Sequence, residues 1–235
     1  MTSRRHAAAH VFVRDLALPV LEDSDAHHLL RVLRVRPGET VTVSNGRGEW
    51  RTCSMSSRSE LEPIDDMLHA EPVAARPITV AFGVTKSDKP EIVVQKLTEL
   101  GVDHIVPVML DHSVVRWDGD KIERHHERFV KVSREAAMQS RQVFLSVVHR
   151  VVPDLDTLLT EPLMTGQWGL VALADPDGSS ELNGVSALIL GPEGGFSERE
   201  LALVDARVSL VGGVLRAETA AIAAGVLLAK ERTRR

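Results

Sequence analysis

The 235-residue chain has no tyrosine, and aromatic residues of all kinds make up 3% of it. A nucleic-acid surface built on stacked rings is therefore not expected. A single cysteine, Cys53, excludes an intramolecular disulfide and a cysteine-rich zinc site. Cys53 has no histidine near it in sequence, so nucleophilic catalysis is not expected there. No run of 18 apolar residues occurs, so no membrane-spanning helix is expected. Met1 to His10 is basic and lacks the apolar core of a secretory signal. These absences together predict a cytoplasmic protein. An excess of basic residues is missing too. Lys and Arg number 28 against 33 Asp and Glu, a formal net charge of −5. This argues against sequence-blind nucleic-acid binding and leaves room for a local basic patch. The patterns G-x-G-x-x-G, G-x-x-x-x-G-K-[ST], G-x-S-x-G and H-E-x-x-H are all absent. His125 and His126 are adjacent and point apart on a helix, so no metal is expected.

What is present suits a soluble fold of one large or two small domains, with 43% hydrophobic and 26% charged residues. Over residues 1–73 the signals are short. Val11 to Val13, Thr40 to Val43 and Trp50 to Met55 read as strands, with an Asn45-Gly46 hairpin turn. Together they predict a small β-barrel. His27 to Arg34 reads as a helical turn with Leu29, Leu30 and Leu33 facing inward. Arg31 and Arg34 share a face, and with His28 they form a cationic group. That group is either a solvated face or a phosphate contact. Glu71 to Pro77 reads as a linker. From residue 77 strands and helices alternate. The strands are Ile78 to Val84, Ile105 to Val108, Leu145 to His149, Gly169 to Ala174, Ala187 to Leu190 and Val208 to Val211. The helices are Glu91 to Leu100, Lys121 to Ser140, Pro153 to Leu159, Glu198 to Ala206 and Thr219 to Lys230. The turn before the first of these helices spans 86–90. This order predicts an α/β domain over 77–235 with a mostly parallel sheet.

One stretch stands out. The apolar run ending at Leu190 passes through Gly191-Pro192-Glu193-Gly194-Gly195-Phe196 into Ser197-x-x-Glu200, a capping box that opens a helix. A glycine-rich turn at the carboxyl end of a strand is where open α/β sheets place ligands. Two further strand ends, Ala172–Asp175 and Leu210–Thr219, fall near it. If the three strands are neighbours, they build a pocket rich in backbone N–H and C=O groups, suited to a flat ligand such as an adenine nucleoside. Glu193 in this turn reads as a general base, a ligand contact or a cap for a neighbouring N–H.

The glycine loop, followed by Val214-Leu215-Arg216-Ala217-Glu218-Thr219-Ala220, resembles the small-subunit ribosomal-RNA uracil-N3 methyltransferases of the SPOUT superfamily. His28 to Arg34 with Pro37-Gly38-Glu39, Lys96 to Val102 and Gln139-Ser140-Arg141 agree in order. The resemblance covers nearly the whole chain. It implies an N-terminal PUA-like barrel that holds RNA and a C-terminal methyltransferase domain with a trefoil knot. It implies S-adenosylmethionine as cofactor, 16S ribosomal RNA or the small subunit as partner, and a homodimer. Carried over residue by residue, it implies cofactor contacts at Leu173, Ala174, Leu190, Gly191, Pro192, Gly194, Gly195, Leu210, Leu215, Arg216, Ala217 and Thr219. It implies RNA contacts at His28, Arg31, Arg34 and Arg141, and catalytic roles for Arg216 and Glu193. Leu210-Val211 and Gly213 depart from the family pattern before the Arg-x-Glu-Thr-Ala segment. A β-branched valine does not readily adopt φ > 0, so Gly212-Gly213 is expected to take over the turn. A non-catalytic RNA- or ribosome-binding homologue, with an impaired cofactor loop, is the alternative.

Overall fold

The computed structural model describes residues 4–58, 60–72, 76–86, 89–165 and 169–233. Residues 73–75 of the expected linker and 87–88 of the expected turn lie outside the described residues. The chain forms two compact units. The first is Met1–Pro72 with Arg134–Leu145, and the second is Val73–Ser133 with Ser146–Arg235.

In the first unit, β1 (Ala9–Phe12) pairs in parallel with β2 (Thr40–Ser44). β3 (Glu49–Met55) pairs antiparallel with β2, with β4 (Leu61–Pro63) and with β5 (Leu68–His69). The last two strands are too short and polar to carry a sequence signal. Between β1 and β2 lies α1 (Asp23–His27), which continues as a π-helical turn over His28–Val32. Leu29 is fully buried, but Leu33 is 42% exposed rather than inward. The wider π turn changes the angular step per residue, so spacing for an α-helix misplaces the last leucine. The core gathers Val11, Leu29, Val41, Val43, Met55 and Cys53. Burial pushes the Cys53 thiol up to about 11, which removes it as a nucleophile at neutral pH.

His10 is 3% exposed in this unit. Its Nε2 donates to the carbonyl of Gln142 at 2.8 Å and its Nδ1 faces the Thr42 hydroxyl at 2.9 Å. A neutral ring protonated at Nε2 satisfies both partners. Burial lowers its pKa to about 4. The unfolded chain therefore takes up a proton below about pH 6.5 that the folded chain refuses until about pH 4, and acid costs stability across that window. We expect His10 to account for about 2 kcal/mol of the stability lost between pH 7.5 and 5.0. Urea unfolding of the wild type and of His10→Gln at both pH values checks this. A variant that loses as much as the wild type would disprove it.

The second unit holds a six-stranded parallel sheet. Its strands are β6 (Thr79–Gly83), β7 (His104–Val108), β8 (Val147–Val148), β9 (Leu170–Ser179), β10 (Val185–Leu190) and β11 (Arg207–Val208), in the order β11-β9-β10-β6-β7-β8. Both faces are covered. Val80, Phe82, Ala172, Leu188 and Leu190 pack on one side with α2 (Lys89–Glu99), Phe129 of α3 (Gly119–Gln139) and α6 (Ala217–Thr233). Ala81, Leu173, Ala187 and Ile189 pack on the other with α4 (Leu155–Thr160). Alternate residues of each strand thus enter opposite cores, which is why the strands read as unbroken apolar runs.

The expected parallel α/β sheet is present, with shorter pieces than expected at three places. The strand placed at Leu145 to His149 is only Val147–Val148, and that at Val208 to Val211 is only Arg207–Val208. The helix placed at Glu198 to Ala206 is α5, Glu198–Leu201. It stops because Val204 enters the core and the Ala206 carbonyl accepts from Leu173 of β9. Leu210 to Gly213 forms bends, and neither Gly212 nor Gly213 has positive φ. The predicted left-handed turn there is not formed.

Candidate active site

The sheet order places β6 between β7 and β10, so the direction of winding reverses at the carboxyl ends of β6 and β10. Open α/β sheets bind ligands at this switch point. A cavity of about 390 Å³ lies there. Three segments wall it. The first is Ala174 to Asp177, where β9 leaves the sheet. Leu173 pairs with Arg207 and Ser179 with Val208, so the residues between loop outward. The second is the glycine loop from Leu190 to Phe196, and the third runs from Leu210 to Ala217. The three strand ends expected to meet do meet.

The glycine loop is held at both ends. Gly195 has φ +68 and lets the chain turn back. Gly83, the last residue of β6, lies under the loop. A Cβ at Gly83 would stand 2.8 Å from the Pro192 nitrogen. Beyond the loop the predicted capping box is formed. The Ser197 hydroxyl accepts from the Glu200 amide at 3.2 Å, and Glu200 Oε2 accepts from the Ser197 amide at 2.9 Å. Glu200 is fully buried, and its other oxygen accepts from the Asp111 amide at 2.9 Å. Asp111 Oδ2 in turn accepts from the Ser197 hydroxyl at 2.6 Å, and Asp111 pairs with Arg199. Arg199 and then Ser197 hold the Asp111 carboxyl below the usual carboxylate range. His112 Nδ1 donates to the Gly194 carbonyl at 2.9 Å.

Of the expected cofactor contacts, Ala174, Leu190, Gly191, Pro192, Gly195, Leu210, Leu215 and Ala217 line the cavity. Leu173 is fully buried in the core one residue short of it. Gly194 is turned toward His112. Arg216 and Thr219 are exposed and flank the lining residues Leu215 and Ala217. Glu193 lines the cavity and receives Lys89 Nζ at 2.7 Å. That bond holds the Glu193 carboxyl below its ordinary range and raises Lys89. Glu193 is therefore a carboxylate with little appetite for a proton. In the first unit, Arg31 and Arg34 are exposed and His28 is half-buried. The Arg141 guanidinium donates to the carbonyls of Arg4 and Ala7, both at 2.8 Å, and so anchors the N-terminal segment.

Sequence reasoning missed Asp177, Phe196, Lys89 and Gly83. Asp175-Pro176-Asp177 carried a turn signal that was available. Gly83 interrupts a β-branched apolar run, a mark of close backbone approach. Lys89 begins a helix, where the dipole disfavours a cation, and that misplacement was its signal.

A parallel sheet with a largely backbone-walled cavity at its switch point defines an α/β domain of the nucleotide-cofactor type. Known proteins make this narrower. The model of a family described as RNA methyltransferase domain matches residues 72–229, and one described as RNA methyltransferase PUA domain matches residues 21–62. Ribosomal RNA small subunit methyltransferase E of Mycobacterium tuberculosis is 31% identical over 221 residues, covering 88% of this chain and 84% of the relative. The protein of that name from Bacillus subtilis is 28% identical, covering 83% of each. The chain belongs to the ribosomal RNA small subunit methyltransferase E family. Among solved structures, a putative methyltransferase from Legionella pneumophila in complex with bound SAM has a TM-score of 0.80 at 25% identity, covering 94% of this chain and 97% of its own. The Neisseria gonorrhoeae ribosomal RNA small subunit methyltransferase E, at 24% identity and TM-score 0.78, shares the fold over 94% of this chain and 96% of its own.

Proposed function

We propose that the cavity binds S-adenosylmethionine and that the chain methylates N3 of one uridine in 16S ribosomal RNA of the small subunit. The observation that carries this reading is the meeting of three segments around one cavity. Its wall combines backbone, apolar side chains and the carboxylates of Asp175, Asp177 and Glu193, and no Lys or Arg among the described residues lines it. Such a wall favours a ligand that is part flat base and part cation. The relatives named for small-subunit ribosomal RNA, and the Legionella fold holding SAM, support the same reading.

When bound, the cofactor supplies an electrophilic methyl group on a sulfonium. The chain's part is alignment and charge. Arg216, exposed at the cavity rim, offers its guanidinium to the anion left when uridine N3 loses its proton. Glu193, held ionised by Lys89, serves as an acceptor for hydrogen bonds, and the proton passes to solvent.

The same reading takes residues 1–73 as a PUA-like barrel that holds RNA through His28, Arg31 and Arg34, with Arg141 shaping that unit. It takes 77–235 as a SPOUT domain with a C-terminal trefoil knot. In support, β10 lies between β6 and β9, and α6 returns beyond β11 to pack on β6, β10 and α2. It takes the protein as a cytoplasmic homodimer, whose partner covers the exposed Val211 and Val214 beside the cavity.

Calorimetry with S-adenosylmethionine, and mass-spectrometric mapping of 16S ribosomal RNA from a strain lacking the protein, test the proposal. Absence of cofactor binding sinks the enzymatic reading and favours an RNA-binding homologue. Loss of a modified nucleoside other than 3-methyluridine reassigns the target base.

A further inference from the structure

We infer that Lys89 is a positioning residue that ties two walls of the cavity together, a role that rests on reading the cavity as the cofactor site. Its Nζ lies 2.7 Å from Glu193 Oε1 in the glycine loop and 3.6 Å from Glu218 Oε2 in the first turn of α6. These are the second and third walls. Glu193 itself lines the cavity, and Glu218 follows the lining residue Ala217.

Both carboxylates depend on this ammonium. Glu218 Oε2 is buried and makes no hydrogen bond among the described residues, and the Lys89 ammonium lies 3.6 Å from it. Glu193 takes its side-chain hydrogen bond from the same nitrogen. Two carboxylate oxygens this close to a single nitrogen repel each other once the positive charge between them is removed. The glycine loop and the start of α6 would then move apart, and the cavity would open. Lys89 does little for its own helix, since a cation in the first turn of α2 opposes the helix dipole. It also does not line the cavity. Its place in the sequence is explained by the two acids, 104 and 129 residues away.

The side chains of Lys89 and Glu193 are 33% and 48% exposed, which keeps the expected effect moderate. Lys89→Met should raise the S-adenosylmethionine dissociation constant and KM about five-fold, with kcat at saturating cofactor nearly unchanged. Lys89→Arg should restore most of the affinity. Lys89→Met combined with Glu218→Gln should also recover part of it, because the repulsion is relieved from the other side and Glu218 does not line the cavity. Hydrogen exchange of the cofactor-free protein gives a reading that needs no ligand. Amides of 191–196 and 214–220 should exchange faster in Lys89→Met than in the wild type or in Lys89→Arg. Unchanged exchange overturns the inference, whatever the protein binds. Faster exchange in Lys89→Met, together with a wild type that binds no S-adenosylmethionine, keeps the tie and overturns the functional reading. A fall in kcat with an unaltered dissociation constant would place Lys89 in the chemical step and overturn the positioning role.

Discussion

An Arg216→Ala chain is expected to methylate ribosomal RNA about a hundred- to a thousand-fold more slowly than the wild type, the loss typical of one preorganised electrostatic donor. It is expected to hold S-adenosylmethionine about as tightly. The two halves of this expectation have separate structural grounds. The Arg216 backbone is committed, because its carbonyl accepts the Ala220 amide at 2.8 Å and starts α6. Its side chain is exposed and is not part of the cavity wall. Truncation therefore leaves the cavity intact and removes one positive charge at its rim. In the proposed reaction that charge matters only after the target nitrogen has given up its proton, so the interaction belongs to the transition state rather than to cofactor binding. Arg216→Lys should keep part of the rate, since it retains the charge and loses the planar fork. Single-turnover methylation with small subunits, beside calorimetry with the cofactor, reads both quantities. A wild-type rate in Arg216→Ala would remove Arg216 from the chemistry.

The sequence made the local parts of this molecule readable. Apolar runs of β-branched residues marked β6, β7 and β10, because strands buried on both faces need no polar alternation. Ser197-x-x-Glu200 marked the start of α5, because a capping box is written within four residues. The glycine loop was legible as a ligand turn for the same reason. What was lost lies in two classes. Short elements were lost where tertiary packing decides length: α5 stops early because Val204 must reach the core, and β11 is two residues long. The π turn at His28–Val32 shifted Leu33 outward against an α-helical count. Long-range partners were also lost. Nothing within ten residues of Lys89 announces Glu193 or Glu218. Asp177 enters the cavity because β9 loops out between Leu173 and Ser179, a register shift that no periodicity records. The candidate site was therefore visible as three loops and not as a set of side chains. That fits a cavity walled largely by backbone and apolar groups, where chain path decides what is bound.

The chain path itself can be tested at Gly83. Replacing it with valine is expected to weaken cofactor binding by at least about a hundred-fold, a larger effect than removing any one side chain of the wall. The reason is the separation between β6 and the glycine loop. A Cβ at Gly83 would stand 2.8 Å from both the nitrogen and the Cδ of Pro192, and 3.3 Å from the Gly191 carbonyl carbon. The neighbours are backbone and a ring fixed to backbone, so no rotamer change relieves the clash. β6 cannot retreat, because it is paired on both sides, with β7 through Gly83 and Val108 and with β10 through Phe82 and Leu190. The loop has to move instead, and Leu190 to Gly195 with it. Overpacking of this kind costs about 1–3 kcal/mol of stability, which a domain of ordinary stability survives. Valine suits a strand, so β6 itself should remain formed. Gly83→Ala should show the same defect to a smaller degree, since one methyl group displaces the loop less than three carbons. Circular dichroism and thermal melting establish that both variants fold, and calorimetry measures their affinity. A folded Gly83→Val protein that binds S-adenosylmethionine normally would show that the cofactor does not depend on the position of the glycine loop, and the cavity at the switch point would lose its claim to be the site.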